Sequence, residues 1–285
     1  MTYVKSPLNY IGGKYKILSQ ILPLFPNNIK TFVDLFCGGC NVGINVHASK
    51  IIFNDNLTYL VDLYNSFKTL DADVILNHIE HRISELDLSF TNQEGYCRLR
   101  EMYNKERNPL DLFVLIAYSF NHQIRYNSSH NFTTPFGKGR SRFNENMRKN
   151  LILFLDEIHC KNVEFLSLNF DEMDFSNLTS DDFVYCDPPY LITTGSYNDG
   201  KRGFTGWTTK EEEKLLGLLT ELNRNHVKFA LSNVIEHKGR CNPLLRDWIE
   251  QGNFTVHYID KDYTNSNYHT TETDSKTIEI VVTNY

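Results

Sequence analysis

Phe183-Val184-Tyr185-Cys186-Asp187-Pro188-Pro189-Tyr190 sets the architecture of this 285-residue chain. Four apolar residues in succession, with no polar residue on either face, predict a strand buried on both sides. Two prolines then end it, since proline lacks an N–H and has a fixed φ. Asp187 and Tyr190 are therefore presented at the carboxyl end of a central strand, where open α/β sheets bind ligands. An acid, a free carbonyl on a proline-stiffened backbone and a flat ring suit a planar amine. They offer acceptors for its N–H groups and a face to stack on. A plain strand–turn with a solvated Asp is the alternative that the tetrapeptide alone leaves open.

Upstream, Thr31-Phe32-Val33-Asp34-Leu35-Phe36 reads as a strand and Cys37-Gly38-Gly39-Cys40-Asn41-Val42-Gly43 as a glycine-rich turn. A short helix and a second strand, Lys50-Ile51-Ile52-Phe53-Asn54-Asp55, complete a βαβ unit. The glycines let a ligand approach the backbone closely. Asp55 ends the second strand 17 residues after Gly38, where an acid accepts hydrogen bonds from ribose hydroxyls. The spacing departs from Gly-x-Gly-x-x-Gly and fits adenosine held without a pyrophosphate better than a dinucleotide. Gly12-Gly13-Lys14 opens a helix predicted through Ile17, Leu18, Ile21 and Leu22. That puts free N–H groups and a cation at one spot, suited to an anionic group such as a carboxylate. P-loop spacing is absent, so ATP is not expected.

Downstream, Val227-Lys228-Phe229-Ala230-Leu231-Ser232-Asn233 is the next strand, with Ser232 and Asn233 expected to line the pocket beside Asp187. Residues 254–260 and 277–283 alternate like an antiparallel hairpin at the sheet edge. Thr209 to Glu212 fits a capping box for a helix reaching about Asn225. The glycine-rich stretch 191–207 is expected to act as a mobile lid.

Between the second strand and Asp187 the pattern is mostly helical over 56–120, with Asn108-Pro109 a helix start, and again over 144–158. Residues 162–166 begin a further strand. Residues 120–143 have no helical period and mix aromatics, amides and Arg/Lys, which predicts a hairpin or long ordered loop. Asn, Gln and Arg read base edges, and aromatic rings wedge between bases or stack on them. A surface hairpin with its own small core is the plainer alternative.

The overall charge of −6 argues weakly against a nucleic-acid partner, but its distribution argues for one. Residues 94–150 hold ten Lys/Arg against five Asp/Glu, while the remainder has 19 against 30. No apolar run approaches the ~18 residues of a membrane span, and the N-terminus lacks an apolar signal core, so a cytoplasmic protein is expected. The six cysteines are scattered and expected to be free thiols. Cys37-x-x-Cys40 has no second pair to complete a zinc site, and no metal is expected.

In order, these parts resemble the Dam-type DNA adenine-N6 methyltransferases (D12 class, alpha group), which depend on S-adenosylmethionine. The resemblance covers nearly the whole chain. It rests on Tyr10-Ile11-Gly12-Gly13-Lys14, Phe32-Val33-Asp34-Leu35-Phe36-Cys37-Gly38-Gly39, Asn54-Asp55, Arg125-Tyr126-Asn127 with Pro135-Phe136-Gly137, Asp187-Pro188-Pro189-Tyr190, Leu231-Ser232-Asn233 and Val282-Thr283-Asn284-Tyr285. It implies a Rossmann-like methyltransferase sheet in two parts, 1–59 and 166–285, with an antiparallel edge hairpin. A mostly helical DNA-recognition domain over 60–165, carrying the hairpin loop 120–143, is inserted between them.

The resemblance also implies roles. Tyr10, Lys14, Asp34, Phe36, Gly38, Asp55 and Asp187 would hold S-adenosylmethionine, with Lys14 near its carboxylate end and Asp55 near the ribose. Asp187, Pro188 and Tyr190 would act on a flipped adenine. Phe120, Asn121, Arg125, Asn127, Lys138 and Arg140 would meet double-stranded DNA, and a restriction endonuclease of the same system is a possible protein partner. Thr133 stands where the family pattern leads one to expect Asn, and Lys138 where it leads one to expect Arg, so a GATC target is a candidate that the sequence does not secure. Methyl transfer to cytosine N4, RNA or protein glutamine is the competing expectation. A non-catalytic DNA-binding module is the one from another class.

Overall fold

A computed structural model describes residues 3–193, 207–260 and 277–285. Among the described residues, eight strands form one mixed sheet: β1 (Ile29–Asp34), β2 (Ala48–Asn54), β3 (Val163–Leu166), β4 (Phe183–Cys186), β5 (Lys228–His237), β6 (Arg240–Cys241), β7 (Thr255–Ile259) and β8 (Thr277–Thr283). Their order is β3-β2-β1-β4-β5-β8-β7, with β6 folded back on β5. The first five in that order are parallel, and β8 and β7 run antiparallel at one edge. β1 is flanked by its successor β2 on one side and by β4 on the other. The chain runs outward from β1 through β2 to β3 and then returns to β4 on the other side of β1, a reversal that opens a crevice at the carboxyl ends of β1 and β4.

β4 is buried along its whole length. Side chains alternate across a strand, so its residues divide between two cores. Phe183 and Tyr185 join Phe32, Phe53 and the helical side, whereas Val184 and Cys186 join Val33, Leu35, Phe229 and Leu231 on the other face. An apolar run without alternation is what a strand covered on both faces requires.

A short helix, α1 (Leu18–Ile21), precedes the sheet, and between β2 and β3 the chain passes through α2 (Thr58–Thr69), α3 (Ala72–Glu85), α4 (Gln93–Glu106), α5 (Pro109–Tyr118) and α6 (Glu145–Cys160). Asn92, Asn108 and Asn144 cap α4, α5 and α6 by accepting backbone N–H bonds, and Pro109 occupies the first turn of α5. Tyr64, Phe67, Phe113 and Phe154 of these helices share one core with Phe32, Phe53 and Phe165 of the sheet. These helices thus pack directly on the sheet. β3 pairs with β2 in parallel, over the stretch where the sequence predicts a strand.

Behind β4 come α7 (Thr209–Arg224) and α8 (Pro243–Gly252). The capping box of α7 is Thr208 with Glu211, one residue earlier than the sequence suggested. Thr208 is extended and outside the helix, as a capping residue must be. α8 was not anticipated, although Asn242 caps it and Pro243 starts it. The proposed lid falls almost entirely outside the described residues. No helix among the described residues is long and apolar enough to cross a membrane, and all six cysteines are free.

Candidate active site

β1 and β4 are in register with Asp34 opposite Tyr185, and Leu35 N–H donates to the Tyr185 carbonyl at 2.9 Å. The glycine turn after β1 and the Asp187 turn after β4 therefore lie side by side. Asp55 shapes the glycine turn: its Oδ2 accepts from Gly38 N–H at 3.0 Å and its Oδ1 from Leu57 N–H at 2.9 Å. Tyr64 hydroxyl donates to the Gly38 carbonyl at 2.7 Å, which holds the peptide from the other side. Gly38 has φ +45°, and a Cβ there would sit 2.8 Å from the Tyr10 ring. Only glycine permits that backbone and that contact.

The turns enclose a cavity of about 560 Å³, within the usual range for a nucleoside-sized ligand. All seven residues expected around a cofactor line it: Tyr10, Lys14, Asp34, Phe36, Gly38, Asp55 and Asp187. Pro188 lines it too. Its apolar wall is a triangle of Phe36, Phe170 and Trp207, with ring centroids 5.5–5.6 Å apart. Phe170 and Trp207 were not anticipated. Trp207 is fixed by a bond from its indole N–H to Glu212 Oε2 at 2.6 Å. Glu212 is fully buried on α7, and its Oε1 accepts from the amides of Asn233 at 3.2 Å and Asn242 at 2.9 Å. Asn233 thus braces the wall from behind instead of lining the pocket. Ser232 does not line it either: its buried hydroxyl is 2.8 Å from that of Tyr185.

Asp34 lies at the cavity floor. Burial pushes its carboxyl up to about 8, opposed by the Gly43 N–H and reinforced by Asp187 and Asp55. Asp187 also has its pKa raised by burial, opposed chiefly by Lys14. The Lys14 ammonium is 3% exposed and sits 2.6 Å from Asp187 Oδ2 and 3.8 Å from Glu279 Oε1. It also donates to the Gly12 carbonyl at 3.0 Å. Lys14 therefore faces the acids beside β4, whereas the sequence suggested an anion site at its own turn. Tyr190 is half-buried and is not among the lining residues. Its hydroxyl donates to Asp187 Oδ1 at 2.9 Å and reaches Glu279 Oε1 at 3.3 Å, and Lys14 Nζ lies 5.2 Å from its ring. Glu279, on β8, was missed by sequence reasoning.

The hairpin over 120–143 is irregular. Bridges pair Ser119 with Phe136 and Tyr126 with Phe132. Tyr126 stacks on Tyr59 of α2 at 4.6 Å, and the Arg107 guanidinium lies 5.3 Å from Tyr59 and 5.5 Å from Tyr103. The loop is thereby tied to α2, and to α4 through Tyr103, whose hydroxyl is 2.6 Å from that of Tyr126. Phe120 is 36% exposed, with the Arg140 guanidinium 4.4 Å over its ring. Asn121 and Arg140 line a second cavity of about 410 Å³, which shares Tyr10 and Ile11 with the first. Lys138 is exposed, and Arg125 donates to Gln123. Asn127 is engaged locally, because its side-chain oxygen accepts from Ser129 and Asn131 N–H at the loop tip. No group of three or more His, Cys, Asp or Glu able to hold a metal occurs among the described residues.

A family model described as D12 class N6 adenine-specific DNA methyltransferase matches residues 10–265. "Modification methylase StsI" of Streptococcus sanguinis is 52% identical over 99% of this chain and 43% of its own length. "Type II methyltransferase M.FokI" of Planomicrobium okeanokoites is 51% identical over 100% of this chain and 43% of its own. "DNA adenine methylase" of Escherichia coli K12 is 26% identical, over 87% of this chain and 85% of its own length. The chain thus spans less than half of the two more similar relatives. With the matched model running from Tyr10 through both turns of the cavity, the chain belongs to the D12 class N6 adenine-specific DNA methyltransferases.

Proposed function

We propose that the chain transfers a methyl group from S-adenosylmethionine to N6 of an adenine swung out of double-stranded DNA, at a specific site and in the cytoplasm. The carrying observation is the adjacency of Asp187 and Pro188 to the cavity bounded by Asp34, Asp55 and Phe36. That cavity suits the proposed cofactor: acids for its cationic and hydroxyl groups, aromatic faces for its base, and a glycine turn for close approach. Bound there, S-adenosylmethionine supplies an electrophilic methyl on sulfur.

The residues supply the rest. Adenine N6 is a poor nucleophile because its lone pair is delocalised into the ring. Asp187 and the Pro188 carbonyl accept the N6–H bonds and draw the nitrogen toward a tetrahedral shape, which aims its lone pair at the cavity. Fixing donor and acceptor in line supplies much of the acceleration. Flipping costs about a few kcal/mol, and stacking on Tyr190 returns roughly 1–3 kcal/mol. Phe120, Asn121, Arg125, Lys138 and Arg140, on the helical insertion, contact the DNA. Asn127 serves there by shaping the loop tip. The names of the modification-methylase relatives suggest a restriction endonuclease as genetic partner.

Long-read detection of modified bases in a host expressing the chain tests this, with nucleosides from digested DNA identified in parallel. N6-methyladenine within one short sequence is expected. N4-methylcytosine, or no modified base when both substrates bind, overturns it.

Asp34 gives a pH signature. Below about 8 its carboxyl is protonated in the free protein, and a cation bound against it favours the charged form. Cofactor binding at pH 7 should therefore release protons, and affinity should climb with pH until about 8 and then level off. Calorimetry in two buffers of different ionisation enthalpy measures the release. Asp34→Asn should remove the Asp34 share, and an unchanged release in that variant rules the assignment out.

A further inference from the structure

Both oxygens of Asp187 are already engaged. Oδ2 faces the Lys14 ammonium at 2.6 Å and Oδ1 accepts from the Tyr190 hydroxyl at 2.9 Å. A neutral amine N–H competes poorly with a charge-assisted bond of that length. If Asp187 accepts from the target amine, one or both occupants must yield. A buried ammonium cannot simply be released, because an unpaired charge away from water is strongly disfavoured.

Glu279 is the group placed to take them. Its side chain is 1% exposed, and its Oε1 is 3.3 Å from the Tyr190 hydroxyl and 3.8 Å from Lys14 Nζ. Residues two apart share a sheet face. Asp187 follows Tyr185, and Glu279 precedes Val281, both of the helical-side core. The β5–β8 ladder slips by one residue between Val234 and Glu236, opposite Glu279 and Ile278. Bulges of this kind re-aim side chains beside active sites.

We infer that Glu279 is a positioning residue for methyl transfer: it receives the Tyr190 hydroxyl and the Lys14 ammonium as the target amine engages Asp187. The inference rests on Asp187 being the amine acceptor. The handover closes the 3.8 Å from Lys14 Nζ and the 3.3 Å from the Tyr190 hydroxyl to Glu279 Oε1, and needs no covalent chemistry. It keeps the ammonium paired throughout and frees Asp187 only when a competing donor is present.

Glu279→Gln tests it, since it keeps size and one acceptor but removes the charge. Turnover should fall about 10- to 100-fold, as for a misplaced reacting group. Affinities for S-adenosylhomocysteine and for DNA should stay within about twofold. Tyr190→Phe, introduced into Glu279→Gln, should recover part of the lost turnover, because one occupant of Asp187 no longer has to be moved. Unchanged turnover in Glu279→Gln overturns the inference. So does a parallel fall of turnover, binding and melting temperature, or a second loss on adding Tyr190→Phe. Asp187→Asn, assayed alongside, separates the two levels. Activity in Asp187→Asn would remove the acceptor assignment itself, whereas an inactive Asp187→Asn beside a fully active Glu279→Gln removes only the role of Glu279.

Discussion

Asp187→Ala is expected to abolish methyl transfer while DNA binding survives. Asp187 lies at the cavity wall at the end of β4, with its side chain 18% exposed, and Pro188 lines the same cavity. Loss of one hydrogen-bonding group aimed at a reacting centre typically costs about 10²–10³ in turnover. Here the cost should be at the upper end or beyond, because only the neutral Pro188 carbonyl is then left to accept from the amine. The DNA-facing candidates lie on the hairpin, whose anchors are Tyr59, Tyr103 and Arg107, so their arrangement does not depend on Asp187. The substitution also removes the nearer partner of buried Lys14. Glu279 at 3.8 Å remains and limits the damage to folding. Single-turnover transfer of a labelled methyl group and fluorescence anisotropy with DNA give the two readouts. Undiminished turnover would remove the acceptor role, and a loss of DNA binding equal to the loss of turnover would make the residue structural.

The parts of the site that were legible in sequence are those set by short-range chemistry. The apolar run before Asp187 can satisfy a strand covered on both faces, and the paired prolines can only end it. Asp55 follows β2 within one residue, and its partners are near in sequence, Gly38 in the turn between β1 and β2 and Leu57 two residues on. Glu279 was illegible because its position depends on how β8 returns along β5, 89 residues of chain away from Tyr190. Asn233 was expected at a strand end lining the pocket, but β5 runs on to His237 and leaves it within the strand. Its amide turns to a buried carboxylate on α7, and only the packing of α7 decides that. Asn127 shows a different limit. An amide in a basic loop has the chemistry to read a base, yet the same chemistry satisfies N–H groups two and four residues on. α8 was missed despite local signals, since Asn242-Pro243 followed by Leu244, Leu245, Trp248 and Ile249 is a capped amphipathic turn.

Asp55→Ala should cost the chain its cofactor. Two effects act in the same direction. The ribose of the proposed cofactor would lose a carboxylate acceptor, and the glycine turn loses the group that holds Gly38 N–H at 3.0 Å and Leu57 N–H at 2.9 Å. A hydrogen bond to a charged group contributes about 1.5–3 kcal/mol net, and a buried donor left unpaired adds a penalty of about 1–3 kcal/mol. A combined loss near 3 kcal/mol corresponds to a factor of roughly 10² in affinity, and part of it should appear as a lower melting temperature without ligand. Asp55→Asn divides the contributions. An amide keeps one acceptor but turns its NH₂ toward one of the two backbone donors, so the turn should still be weakened. Calorimetric titration with S-adenosylhomocysteine, beside thermal unfolding of both variants, provides the measurement. Wild-type affinity in Asp55→Ala would exclude a ribose contact. An unchanged melting temperature with affinity lost would show that the turn stands without its carboxylate, leaving the residue a ligand contact alone.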